Sequence, residues 1–314
     1  MPAPFLPGRL RYLTVVPFLI LGFLLYSNSL TGPFVLDDVR NIQENTYIRI
    51  TELTPESIAA AAFKSPCSNR PLANISLALN YYFHGDNPMG YHLVNVAIHV
   101  ITGIFLYLFL KITLELRLSQ RPVLSDEVRR SRNQDRQVAK GGNPSVPIIF
   151  SRCWWPFSSK SQFINPSVVA FFSSMLWFVH PIQTESVAYM VQRMTALAAM
   201  FYIASLFLYA KGRLAGSKRR RWLMFGGCGV AAVMGLACKE IVAILPLFIF
   251  LYEWYFFRDL SGKWLRKQFV PLGLVLCLLG IASAFYLGPN PFDRILFGYE
   301  MRDFTMSERL LTEF

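Results

Sequence analysis

The stretch Tyr91-His-Leu-Val-Asn-Val-Ala-Ile-His-Val-Ile-Thr-Gly-Ile-Phe-Leu-Tyr-Leu-Phe-Leu-Lys-Ile-Thr-Leu114 decides the fold. It is long enough to cross a bilayer, which takes roughly 20 apolar residues, and its one formal charge is Lys111. In hydrocarbon, backbone N–H and C=O groups must pair within the segment, so it is a helix. Similar runs at about 12–30, 164–181, 194–211, 222–238, 241–257 and 269–287 bring the predicted spans to seven. The composition agrees: 54% of the residues are hydrophobic, 16% are charged and 27 are phenylalanine, and the mean hydropathy is +0.37. A soluble core could not absorb that much apolar surface. The expected fold is an all-α integral membrane bundle of about seven transmembrane helices.

The basic residues orient it. With a cytoplasmic N-terminus, 22 of the 31 Lys and Arg fall in cytoplasmic segments and nine on the opposite side. Short basic loops remain inside, so the bias supports this topology. The formal charge of +12 is then mostly topogenic, and because the charges alternate with spans instead of gathering on one face, no nucleic-acid partner is implied. The run Lys218-Arg-Arg-Arg221 suits contact with anionic membrane lipids. The first apolar run reads as a signal anchor, since Ser27-Asn-Ser-Leu-Thr31 has no clear small-x-small cleavage pattern. The five cysteines show neither a disulfide framework nor zinc spacing.

The first outer loop, 31–90, is long enough to be a structured element. Thr54-Pro55-Glu56 opens a short helix through Phe63, with threonine as N-cap and proline at the first helical position. Leu72, Ile75, Leu79 and Phe83 recur at helical spacing opposite Asn74 and Asn80, which predicts an amphipathic helix on the membrane surface or against neighbouring spans. The inner loop 117–163 is rich in Arg, Ser, Gln, Gly and Pro and reads as flexible in its central part.

Polar residues collect at the outer ends of the helices. Asp37 and Asp38 stand side by side in Thr31-Gly-Pro-Phe-Val-Leu-Asp-Asp-Val-Arg40, and ionisable groups near bilayer depth mark functional sites. In His180-Pro-Ile-Gln-Thr-Glu-Ser-Val-Ala-Tyr-Met-Val-Gln-Arg193, the i,i+4 spacing predicts one face for Glu185, Tyr189 and Arg193 if the segment is helical. That face suits either a structural network or a substrate contact. Lys239 and Glu240 interrupt two apolar helices, and Lys239 at a helix boundary is a candidate anion anchor.

Six motifs then occur in order: Asn28-Ser-Leu-Thr-Gly-Pro-Phe-Val-Leu-Asp37-Asp38; Asn69-Arg70-Pro71-Leu72; Gly90-Tyr-His92-Leu-Val-Asn95 with His99; His180-Pro-Ile-Gln-Thr-Glu185-Ser-Val; Arg193-Met-Thr-Ala-Leu; and Cys238-Lys239-Glu240. In this order the chain resembles the membrane part of the tetratricopeptide-repeat-containing transmembrane O-mannosyltransferases and their bacterial relatives, in the GT-C glycosyltransferase superfamily. One departure is Gln192-Arg-Met-Thr195, where members often carry Gly-Arg-Ala-Asp.

The resemblance implies inverting transfer of a sugar from a polyprenyl-phosphate donor to an exported protein or other hydroxyl acceptor on the outer membrane face. That face would be periplasmic in a bacterial inner membrane or lumenal in the endoplasmic reticulum. Asp37 or Asp38 would be the general base. Arg70, Arg193 and Lys239 would stabilise the leaving phosphate, with His92, His180, Glu185, Tyr189 and Glu240 in support. No cofactor is required by this reading, and a divalent metal, if used, would sit on Asp37 and Asp38. Alternatives are a lipid or polysaccharide acceptor, or a non-catalytic scaffold or transporter-like fragment.

Residues 1–288 form the GT-C-like part in this reading, and 289–314 begin an outer-side segment that reads as incomplete. No 34-residue period marks a repeat domain. The topology has a direct check. A cysteine placed at Ser186 should react with a membrane-impermeant thiol reagent from the outer side, and labelling from the cytoplasmic side alone would reverse the assignment.

Overall fold

The computed structural model describes residues 8–139 and 165–287, together with Glu308. Among these residues there are ten α-helices and no strand: α1 Gly8–Tyr26, α2 Pro55–Lys64, α3 Pro71–His84, α4 Pro88–Ala139, α5 Pro166–Phe178, α6 Gln183–Ala188, α7 Arg193–Arg213, α8 Lys218–Leu236, α9 Leu245–Phe257 and α10 Gly262–Leu287. Among the described residues, three helical stretches are long and apolar enough to cross a membrane: Pro88–Leu118, Met190–Arg213 and Glu240–Phe257. The chain divides into two compact units within α9, Met1–Phe250 and Leu251–Phe314.

In the first unit α4 is the central post. One side packs on α1 and α5 through Phe18, Val100, Tyr107, Ala170, Met175 and Phe178. Lipid offers apolar side chains no less welcome a medium than protein does, so close packing and small residues must hold membrane helices together. Gly103 shows this, because a Cβ there would lie 2.8 Å from Phe18 and 2.9 Å from Phe178. Those two rings meet edge to face at 5.2 Å, a geometry favoured by the aromatic quadrupole. Toward α7, Ile98 joins Ala196, Leu197, Ala198 and Leu206, and the cluster continues through Cys238, Val242 and Leu245.

The first loop has its own core. Ile42, Ile48 and Ile50 pack with Ala61 of α2, Leu77 of α3, Tyr91 of α4, and Met190 and Met194 near the start of α7. The Thr54 hydroxyl accepts the Ser57 N–H of α2 and Ser57 reaches back to the Thr54 N–H, a capping box. In α3 the buried face is Ala73, Asn74, Leu77, Ala78 and Asn80, which leaves Leu72, Ile75 and Leu79 half-buried and Phe83 exposed. Asn74 turns inward and donates to the carbonyls of Cys67 and Ala62.

In the second unit Arg258 bonds Glu253 at 3.0 Å and lies over the Trp264 ring at 5.7 Å. One expectation is corrected: 117–139, assigned to a flexible inner loop, continue α4 as helix. Arg, Gln, Leu and Glu are good helix formers, and extending an existing helix avoids the unfavourable nucleation step. The remainder of that loop and the segment 289–314 lie outside the described residues, Glu308 apart.

Gly103→Ala should destabilise the protein by about 1–3 kcal/mol, because a Cβ there comes within 3 Å of two packed rings that must shift to admit it. Thermal unfolding of the detergent-solubilised protein checks this. An unchanged midpoint would mean that the contact among α1, α4 and α5 is loose.

Candidate functional site

The acidic pair lies in a tight turn after α1. Leu36 has φ +48°, in the left-handed region, a conformation that costs a non-glycine residue about 1–3 kcal/mol unless its surroundings impose it. Asp38 supplies much of that constraint. It is buried, its Oδ2 accepts the Val35 N–H at 3.2 Å, and its Oδ1 accepts the Val191 N–H at 2.7 Å. Asp37 is exposed, and its own N–H donates to the Tyr189 hydroxyl at 2.9 Å. The two neighbours therefore differ: Asp38 is a brace, and Asp37 leaves its carboxylate to solvent.

Burial pushes the Asp38 carboxyl above the ordinary carboxylate range, and the Val35 and Val191 N–H groups and nearby His92 oppose that shift. His92 Nε2 lies 3.3 Å from the Gly32 carbonyl. A carbonyl only accepts, so that nitrogen carries the proton, and Nδ1 is buried without a partner. His92 thereby holds the start of the acidic loop. Ile182 N–H donates to Nδ1 of exposed His180. His180 also borders a groove of about 240 Å³ with Tyr26, Asn28, Ser29 and Thr184.

The segment between α6 and α7 departs from the sequence expectation. Glu185, Tyr189 and Arg193 do not share a helical face, because α6 ends at Ala188, Tyr189 is extended at ψ 112° and Met190–Gln192 form a 3₁₀ turn. The break sends Arg193 inward to full burial. Its Nε donates to Asn95 Oδ1 at 2.8 Å, and Nη2 donates to Asn80 Oδ1 at 2.7 Å and the Tyr91 carbonyl at 2.9 Å. Nη1 donates to the Ser76 carbonyl at 3.2 Å. Enclosed in this way, Arg193 holds helices together and is not presented to a phosphate.

The other two cations do meet. Leu72 N–H donates to the Ala237 carbonyl at 3.0 Å, tying the start of α3 to the end of α8. This sets Arg70 beside Glu240 at 3.1 Å. Lys239, in extended backbone just before Glu240, donates to Thr195 Oγ1 at 2.7 Å. The Thr195 hydroxyl in turn donates to Gln192 Oε1 at 2.6 Å, and Gln192 Nε2 donates to Glu185 at 3.4 Å. Burial first, then the Arg70 charge, lowers the Lys239 pKa, while Glu240 and Glu185 oppose the shift.

The turn through Glu185–Thr195 thus has the aspartates on one flank and Arg70 with Lys239 on the other. Among the described residues no group of three or more His, Cys, Asp or Glu is placed to hold a metal. Both Asp38 oxygens already accept backbone N–H groups. Thr195 and Asn95 were not singled out as site residues. The signals were the threonine in Gln192-Arg-Met-Thr195 and a buried amide in an apolar span.

The chain is similar to proteins named as protein O-mannosyl-transferases. The chain is 29% identical over 230 residues to "Protein O-mannosyl-transferase Tmtc3" of Drosophila melanogaster, covering 68% of this chain and 21% of that protein. It is 28% identical over 298 residues to "Protein O-mannosyl-transferase TMTC2" of Mus musculus and of Homo sapiens, covering 86% of this chain and 29% of each. The chain is a homologue of these TMTC proteins, and it spans less than a third of their length. No family model matches it, and no solved structure matches it.

Asp38 has a testable signature. A carboxyl whose folded pKa is raised adds stability below its unfolded value, and that contribution is lost as pH rises through the folded value. The melting difference between wild type and Asp38→Asn should therefore move in favour of wild type as pH falls from about 7 toward the unfolded value near 4. A difference independent of pH would show that burial leaves the carboxyl unperturbed.

Proposed function

We propose that this chain is the membrane part of a GT-C-type O-mannosyltransferase with seven transmembrane helices and a cytoplasmic N-terminus. It uses a polyprenyl-phosphate mannose donor and acts on the outer face. One observation carries this reading: an exposed carboxylate on a braced turn and two cations border the same polar segment, Glu185–Thr195, with Lys239 at Thr195 and Arg70 at Met194. The names of its homologues support the sugar and a protein acceptor.

Asp37 is the base. Its carboxylate takes the proton of a Ser or Thr hydroxyl as that oxygen bonds to the anomeric carbon, which is general-base catalysis. The bond from that carbon to the phosphate oxygen breaks on the opposite side, and polyprenyl phosphate leaves with the electron pair. The anomeric centre inverts. Lys239 and Arg70 face the charge that grows on the leaving phosphate, fixed donors of the kind that stabilise such a transition state. Thr195 holds the Lys239 ammonium without neutralising it, so the cation keeps its charge for the donor.

In membranes supplied with labelled polyprenyl-phosphate mannose and a Ser/Thr-rich peptide, Asp37→Asn should lower transfer by about 10²–10⁴-fold, the usual worth of a positioned base. Lys239→Ala should lower kcat, by up to about 10²–10³-fold, because its charge acts on the leaving phosphate in the transition state. If Asp37→Asn transfers as wild type does, the base assignment fails. If wild type transfers nothing, the scaffold reading takes its place.

A further inference from the structure

A residue remote from the reacting groups governs how they are held. Asn95, in α4, is fully buried and spends both ends of its amide. Its Oδ1 accepts from Arg193 Nε at 2.8 Å. Its Nδ2 is shared between the carbonyls of Val187 at 3.2 Å and Met190 at 3.4 Å. These carbonyls bracket Tyr189, whose hydroxyl receives the Asp37 N–H, and Met190 immediately precedes Val191, whose N–H meets Asp38. One amide therefore grips the break between α6 and α7 on either side of Tyr189 and one residue before Val191, beside both of its contacts with the acidic pair.

We infer that Asn95 is a positioning residue for Asp37 and Asp38, acting through the 187–191 turn, with Arg193 as its anchor. The inference rests on the glycosyl-transfer reading for its consequence and on geometry alone for its mechanism. Local backbone bonds also close the turn, from the Gln192 N–H to the Tyr189 carbonyl and from the Arg193 N–H to the Met190 carbonyl, and the Asn95 amide ties it to α4. Residues 189–192 lie in neither α6 nor α7, and their path is set by what bonds their carbonyls. The Arg193 cage at Asn80, Ser76 and Tyr91 fixes the far side of Asn95, so the amide cannot swing away with the turn. A displacement of about 1 Å in a catalytic group can cost 10²-fold in rate, and the Val191 N–H is the shorter of the two bonds that orient the Asp38 carboxylate.

Asn95→Asp separates positioning from stability. The carboxylate keeps the shape and the acceptor for Arg193, and it gives that buried cation an opposite charge, so the fold is retained. It has no N–H for Val187 and Met190, and it faces their carbonyls with like partial charge. The expected result has three parts: a melting midpoint no lower than wild type, faster amide exchange confined to 35–39 and 187–192, and a kcat for mannose transfer reduced at least tenfold with little change in donor KM. Asn95→Leu should lose both stability and transfer.

Unchanged exchange in those two segments, or wild-type kcat in a folded Asn95→Asp protein, would overturn the inference. So would a uniform loss of stability in which exchange rises everywhere. The exchange result stands apart from catalysis. If wild type shows no transfer, the functional reading fails while the clamp is still judged by exchange.

Discussion

The constraint on which the rest of the molecule depends is the burial of the Arg193 guanidinium. A cation removed from water loses several kcal/mol of effective solvation, and that loss must be offset by donors and acceptors held in place. Here two asparagine oxygens and two backbone carbonyls supply the offset, and the Tyr91 ring lies 5.4 Å from the guanidinium. These acceptors come from α3 and α4, while the cation opens α7. Three helices must therefore meet at one point, and the first loop's core closes over it. An apolar residue at 193 could pack in many ways; an arginine there tolerates few.

How far the sequence disclosed this can be judged from individual elements. Hydropathy located the helices around the apolar segments, and Thr54-Pro55 correctly marked the start of α2, because span length and capping are local properties. The inward turn of Arg193 was not legible. Reading it beside Glu185 and Tyr189 assumed an unbroken helix, yet the extended conformation of Tyr189 rotates everything after it. Tertiary bonds from Asn95, 92 residues away from Val187 in the chain, dictate that conformation. Similarly, Asn74 and Asn80 showed which side of α3 was polar, but only the presence of Arg193 and the Cys67 carbonyl made the polar side the inner one.

The two halves of the candidate site are assembled by different means. Asp38 is placed by its carboxylate accepting two backbone N–H groups and Asp37 by its own N–H donating to the Tyr189 hydroxyl, with His92 at the Gly32 carbonyl. Arg70 and Lys239 are placed by a backbone bond between Leu72 and Ala237, after which Arg70 pairs with Glu240 and Lys239 finds Thr195. The turn at 185–195 belongs to both halves. It gives the acidic loop a hydroxyl and an N–H, and it gives the lysine a hydroxyl. A site divided in this way can bring opposite charges to one segment without letting them neutralise each other.

That separation bears on why two adjacent carboxylates are present. A single aspartate on a strained turn would have to hold the turn and react from it, and a buried carboxylate committed to two N–H bonds has less freedom to meet an acceptor. The burial of Asp38 and the exposure of Asp37 separate the brace from the carboxylate that faces solvent. Asp38 ties Val35 to Val191 across Leu36, whose left-handed backbone carries Asp37 outward. The strain at Leu36 is then a consequence of the brace, and the freedom of Asp37 is a consequence of the strain. Both residues are aspartate, so it is position in the turn, and not residue type, that commits one carboxylate to the brace and leaves the other in solvent.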